Sequence, residues 1–166
     1  MSLHYRRPLS GALRALMLIP ALLLLLLTLL IISGQGNGNP IAGGVIMGAL
    51  ALIPLGFAAG SRAFAQVDGD TVTVGFQPFW RTRFQVDQLA EVDIVLIDAW
   101  QDYHGWGVKG APRSPRGLLY SAGGTAALRF TLTDGRRYLV GCDPDTPEAV
   151  RMRDELNAQL SAGQGT

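Results

Sequence analysis

The chain has 166 residues, a formal net charge of +1, 48% apolar residues, 16% charged residues and a single cysteine, Cys142. Its first 60 residues carry only Arg6, Arg7 and Arg14, whereas eleven Lys or Arg and thirteen Asp or Glu follow, which leaves residues 61–166 at −2. A soluble part this close to neutral excludes bulk nucleic-acid binding, one cysteine excludes an intrachain disulfide, and about a hundred soluble residues make one small domain and not two.

Residues 1–12 read as a basic cytoplasmic tail. A transmembrane hairpin follows over residues 13–60, with spans at 13–33 and 41–60 and an uncharged Gly- and Asn-rich turn between them. Each apolar run is close to the roughly 20 residues that carry a helix across a ~30 Å hydrocarbon layer. A secretory signal is set aside, because the first run exceeds the roughly 7 to 15 residues of such a core and a second run follows at once. Arg6, Arg7 and Arg14 before the hairpin and Arg62 after it place both flanks on the cytoplasmic side. In the second span Gly44, Gly48, Gly56 and Gly60 recur at multiples of four, a spacing that lets helices approach closely. This stripe serves to pack the two spans of one chain, or alternatively to meet a second copy or a larger partner. Past Arg14 neither span holds an ionisable residue, so transport by this chain alone is not expected.

From Ala63 the pattern turns to short alternating runs with Gly-centred turns, a strand signature. Val67-Asp68-Gly69-Asp70 reads as a tight hairpin turn, and Val72, Val74 and Phe76 share one face of the next strand. Trp80–Val86 alternates basic and apolar residues, and Val92–Ile97 reads as a more buried strand. Pro, Gly and aromatic residues then interrupt regular structure from Trp100 to Pro115. Asp134-Gly135 predicts a two-residue hairpin turn, which pairs Phe130 with Leu139 and puts Arg129, Thr131 and Tyr138 on the opposite face. A terminal helix begins after Thr146 at Pro147, with Ala149, Met152, Leu156 and Leu160 on the face it must bury against the sheet. The β domain so defined covers residues 61–161, with a flexible tail at 162–166.

This order of two spans, strands, Trp106-Gly107-Val108-Lys109, Gly117-Leu118-Leu119-Tyr120, Asp134-Gly135-Arg136-Arg137 and a Pro-started helix resembles the bacterial pleckstrin-homology-like domain proteins with an N-terminal transmembrane hairpin. The resemblance implies a bent sandwich or partly open barrel of about seven strands, closed by a C-terminal capping helix. It implies no enzyme, cofactor or metal, and a fold of this kind mainly serves as a binding platform. Eukaryotic lipid-binding members place several Lys and Arg around the first strand turn. Here Asp68 and Asp70 stand there, which argues against phosphoinositide binding at that turn.

Five basic residues, Arg81, Arg83, Lys109, Arg113 and Arg116, with Trp80 beside them, form the candidate lipid or partner contact, each basic residue near an anionic leaflet contributing about 1 kcal/mol. Trp80, Trp100 and Trp106 serve either as core aromatics or as headgroup-level anchors. Gly105-Trp-Gly-Val-Lys-Gly110 matches a dinucleotide-binding string, but Pro112 and Pro115 leave no room for the helix that would hold a pyrophosphate. A hydrolase would need His104, near Asp102, to meet Ser114 or Ser121. Cys142 has acidic neighbours, so nothing lowers its thiol pKa. The expected function is a non-enzymatic, membrane-anchored binding or scaffold module of the bacterial plasma membrane that engages a protein partner or anionic headgroups. The alternative is an accessory subunit of a larger membrane enzyme or transporter, packed through the glycine-bearing span.

Overall fold

The computed structural model describes residues 2–35 and 39–163. The chain divides into a helical unit, residues 9–61, and a β unit built from the residues on both sides of it.

In the helical unit, α1 (Gly11–Leu30) starts at Ser10, whose hydroxyl accepts from the Leu13 amide, and runs into a π-helical turn at Ile31–Gln35. Helix α2 (Pro40–Gly60) starts at Asn39, whose side chain accepts from the Ile41 and Ala42 amides, with Pro40 in the first turn where its missing N–H costs nothing. Both helices are long and apolar enough to cross a membrane. Most of their leucines and isoleucines are exposed, an arrangement that water opposes and hydrocarbon tolerates. Small residues carry the contact between them: Ala21 of α1 and Gly44, Ala51 and Ala58 of α2 are buried.

Among the described residues the β unit holds nine strands in two sheets. Its first strand is a departure from the expected tail, because β1 (Ser2–Pro8) pairs antiparallel with β2 (Arg62–Asp68) from Ser2↔Asp68 to Pro8↔Arg62. The reason lies in the alternation of Leu3 and Tyr5, both buried, with exposed His4 and Arg6. Strands β3 (Thr71–Gln77) and β4 (Trp80–Gln85) complete a sheet in the order β1-β2-β3-β4. The Gly69-Asp70 turn joins β2 to β3 as expected, and Val72, Val74 and Phe76 all face the core.

The second sheet runs β5-β8-β9-β7-β6, built from β5 (Leu89–Leu96), β6 (Gly107–Gly110), β7 (Leu118–Ser121), β8 (Ala126–Leu132) and β9 (Arg137–Cys142). Nine strands therefore replace the expected seven or so, and the two sheets are not closed into a barrel. The Asp134-Gly135 hairpin shifts by one residue from the expected register: Phe130 pairs with Tyr138 and Arg129 with Leu139. Gly135, at φ +83°, takes the left-handed position of a three-residue loop, with the Leu132 amide donating to the Arg136 carbonyl. Tyr138 thereby joins Phe130 in the core. Leu139 crosses to the outer face, where Leu119, Ala127 and Tyr103 of the short α3 (Ala99–Tyr103) form a second apolar cluster.

Between the sheets, Phe84 stacks on Tyr138 at 5.5 Å and meets Phe130 at 5.9 Å, and the Thr82 and Tyr120 hydroxyls are hydrogen bonded at 2.8 Å. Helix α4 (Pro147–Gly163) buries Ala149, Met152 and Leu156, as the stripe required. The Thr146 carbonyl opens that helix, while its hydroxyl accepts from the Asp143 amide. Ala162 and Gly163 belong to this helix, and residues 164–166 of the expected tail lie outside the described residues.

Candidate functional site

Strand registers sort the candidate residues to two ends of the β unit. One end holds Pro8, Arg62 and Gln77 of the first sheet, and it is where the chain leaves for the helical unit and returns from it. Tyr5 donates to the Gly141 carbonyl at 2.9 Å, and Arg7 forks onto both carboxylate oxygens of Asp143 at 2.7 and 3.1 Å. Those bonds put the Cys142 end of β9 at this same end. Register then brings Ala126, Leu96, Ser121 and Gly107 to it as well. The opposite end carries the turn at Asp134-Gly135 and the loop from Ala111 to Gly117 that joins β6 to β7.

The expected basic cluster is thereby divided. Arg81 and Arg83 project from the outer face of the first sheet, whereas Arg113 and Arg116 sit on the far-end loop, and Lys109 lies on β6 opposite Leu119. Arg116 is held against α3, donating to the Asp102 carbonyl and facing the Asp102 carboxylate at 3.8 Å. Sequence distance grouped these residues, but β5 and α3 intervene between Arg83 and Lys109, and the chain passes from one sheet to the other.

Two arginines that sequence reasoning assigned to topology join Arg81 and Arg83 instead. Arg6 faces outward from β1 in line with Phe64, Gly75 and Arg81, and Arg62 faces outward from β2 at the row of Pro8 and Gln77. Arg6, Arg81 and Arg83 line a shallow recess of about 380 Å³ on this face together with Phe64, polar side chains and, at its far side, Asp68. Arg6, Arg62, Arg81 and Arg83 form no ion pair among the described residues, while Arg7, Arg116, Arg129, Arg136, Arg151 and Arg153 each do. The alternation of arginine with apolar residues in β1 and β4 carried that signal, but only the pairing of β1 with β2 places Arg6 on this sheet.

Of the tryptophans, Trp106 is half-buried and meets Trp100 edge-on at 4.9 Å, while Trp80 packs edge-on against Phe79 at 5.7 Å. Gly107–Gly110 of the glycine string forms edge strand β6, followed by turns, so no helix stands where a pyrophosphate would be held. Ser114 Oγ accepts from its own loop's Gly117 amide at 3.0 Å, Ser121 Oγ accepts from the Gly123 amide at 3.2 Å, and Asp102 accepts from the Asp98 amide at 2.9 Å. The His104 ring makes no hydrogen bond to any of them. Cys142 is fully buried, and burial pushes its thiol up to about 11, as the absence of basic activation suggested. Among the described residues no three His, Cys, Asp or Glu are grouped as a metal site.

In the helical unit, Gly44 alone of the four glycines packs closely, its Cα lying so near Ile32 that a Cβ would come within 2.8 Å of that side chain. Around Gly48, Gly56 and Gly60 a Cβ would meet nothing within 4 Å. The contact with α1 thus follows Gly44, Ala51 and Ala58, a seven-residue repeat, in place of the four-residue glycine stripe.

No protein-family model matches this chain, and neither a curated protein nor a solved structure matches it.

Proposed function

We infer that the protein is a non-enzymatic binding module anchored in the bacterial plasma membrane by its two-helix hairpin, with a pleckstrin-like β unit presented to the cytoplasm. The pairing of Ser2–Pro8 with Arg62–Asp68 carries this reading. Strands that precede and follow the hairpin share one ladder of hydrogen bonds, so they occupy one compartment, and the two helices between them cross the bilayer out and back. Arg6, Arg7, Arg14 and Arg62 flank the crossings and make that compartment the cytoplasm. The binding role is supported by Arg113 on the loop at the end of the β unit opposite Pro8 and Arg62, a residue that forms no ion pair among the described residues.

Labelling with an impermeant thiol reagent in intact cells tests the topology, using Cys142→Ser with Gly36→Cys or Asp134→Cys. Position 36 is expected to label and position 134 to stay protected; the reverse overturns the cytoplasmic assignment. A photo-crosslinking residue at Arg113 is then expected to trap a discrete protein adduct in cells. If no far-end position does so, the binding role fails.

A second reading, an accessory subunit of a larger membrane enzyme or transporter, is favoured by the open space around Gly48 and Gly56. Gly48→Leu with Gly56→Leu would then abolish co-purification with that partner in mild detergent and leave the β unit's melting unchanged.

A further inference from the structure

Among the described residues of the β unit, four large apolar side chains are exposed: Phe79 at 63%, Trp80 at 47%, Leu96 at 78% and Trp100 at 60%. All four belong to one end of it. Phe79 and Trp80 form the tip of the β3–β4 hairpin beyond Gln77, which pairs with Arg62. Leu96 ends β5 beside Ala126, which pairs with Cys142, and Trp100 stands on α3 four residues further on. The interior contacts fix the alignment of the two sheets, because Phe84 lies on Tyr138 and Thr82 on Tyr120, so β4 runs toward Trp80 in the direction that β9 runs toward Cys142. This is also the end at which Pro8 leads into α1 and Arg62 follows α2, with two residues between Pro8 and Gly11 and one between Gly60 and Arg62.

Indole rings and neighbouring apolar side chains accumulate where water gives way to hydrocarbon, and arginine is the side chain that forks onto phosphate oxygens. Arg6, Arg62 and Arg81 face outward on the sheet that ends in the Phe79-Trp80 tip and form no ion pair among the described residues. Among the acids of this end, Asp143 is held by Arg7 and Asp98 caps α3 by accepting from the Trp100 and Gln101 amides, while Glu148, in the first turn of α4, lines a recess with Arg6 but forms no ion pair with it. The first sheet is therefore the basic half of this end.

We propose that this end of the β unit is a membrane-interfacial surface, on which Phe79, Trp80, Leu96 and Trp100 sit at headgroup depth and Arg6, Arg62 and Arg81 bind the phosphates of anionic phospholipids. The surface rests on the hairpin-anchored reading above and names its partner. It leaves the far-end loop, with Arg113 and Arg116, turned toward the cytoplasm.

The test uses the full chain reconstituted in vesicles of phosphatidylcholine, with or without phosphatidylglycerol, carrying a headgroup nitroxide. Single tryptophans are kept at position 80 or 100 by Trp→Phe changes at the other two, and Asp134→Trp in a tryptophan-free chain reports the far end. Quenching at positions 80 and 100 is expected to exceed that at 134, and to increase with phosphatidylglycerol. Each of Arg6→Gln, Arg62→Gln and Arg81→Gln is expected to lower the docked-to-undocked ratio about fivefold. Equal quenching at 80 and 134, or quenching indifferent to anionic lipid and to the arginines, overturns the proposal. Alkaline carbonate extraction separates the two readings: a chain that leaves the bilayer defeats the hairpin anchor, whereas one retained without quenching defeats only this surface.

Discussion

Tyr5 shows how one residue ties the chain's first strand to its last. Burial pushes its phenol up to about 12, its hydroxyl donates to the Gly141 carbonyl, and Arg7 beside it forks onto Asp143. A phenol whose folded-state pKa is raised binds its proton more tightly in the folded form. Its contribution is therefore complete below pH 10 and is lost as the pH rises toward 12, amounting to about 3 kcal/mol. Tyr5→Phe is expected to cost about 1 kcal/mol near neutral pH and to flatten the alkaline loss, as read from denaturant melts at pH 8 and pH 11. Cys142 follows the same sign, losing stability as pH rises from 9 toward 11, and should resist thiol reagents until the protein unfolds. Gly75 is constrained by space, since a Cβ there would strike the Trp80 carbonyl oxygen and come within 3.0 Å of the Phe64 ring. Gly75→Ala should destabilise the β unit by about 1 to 3 kcal/mol, measured as a shift in urea midpoint.

Elements explain which expectations held. The α4 stripe was readable because Ala149, Met152 and Leu156 repeat at helical spacing and there is one surface to cover. Its neighbour Asn157 was not readable, yet its side chain accepts from the Val92 amide at 3.2 Å and donates to the Val92 carbonyl at 2.7 Å. This satisfies edge strand β5 next to the register shift between Leu89 and Glu91. Asn157→Ala strands both backbone groups and is expected to cost about 1 to 3 kcal/mol, with faster amide exchange at Val92. The Asp134-Gly135 turn was readable as a turn but not in length. Two- and three-residue loops both welcome glycine at positive φ, and the choice is made by Phe130 and Tyr138, which gain the core only in the longer form.

At the scale of the whole molecule, the hairpin is an insertion into a sheet. Removing residues 2–8 leaves both apolar helices intact, yet it bares the edge of β2 and deletes the Tyr5 and Arg7 bonds. Such a chain is expected to reach the membrane but to melt at lower temperature and aggregate through β2. Sequence by itself determined what depends on neighbours along the chain: two apolar helices of spanning length, the alternation of β2 to β5, the start and buried face of α4, and the inertness of Cys142. The tertiary structure alone decided what depends on partners distant in sequence. Ser2–Pro8, read as a basic tail, became a strand because its pairing partner lies past the hairpin, sixty residues away at Arg62–Asp68. The same pairing drew Arg6 and Arg62 onto the face of Arg81, while the crossover between the sheets carried Arg113 and Arg116 to the other end. Local periodicity records which faces are apolar, but the grouping of charges follows from strand order, and strand order is set by contacts that no local window contains.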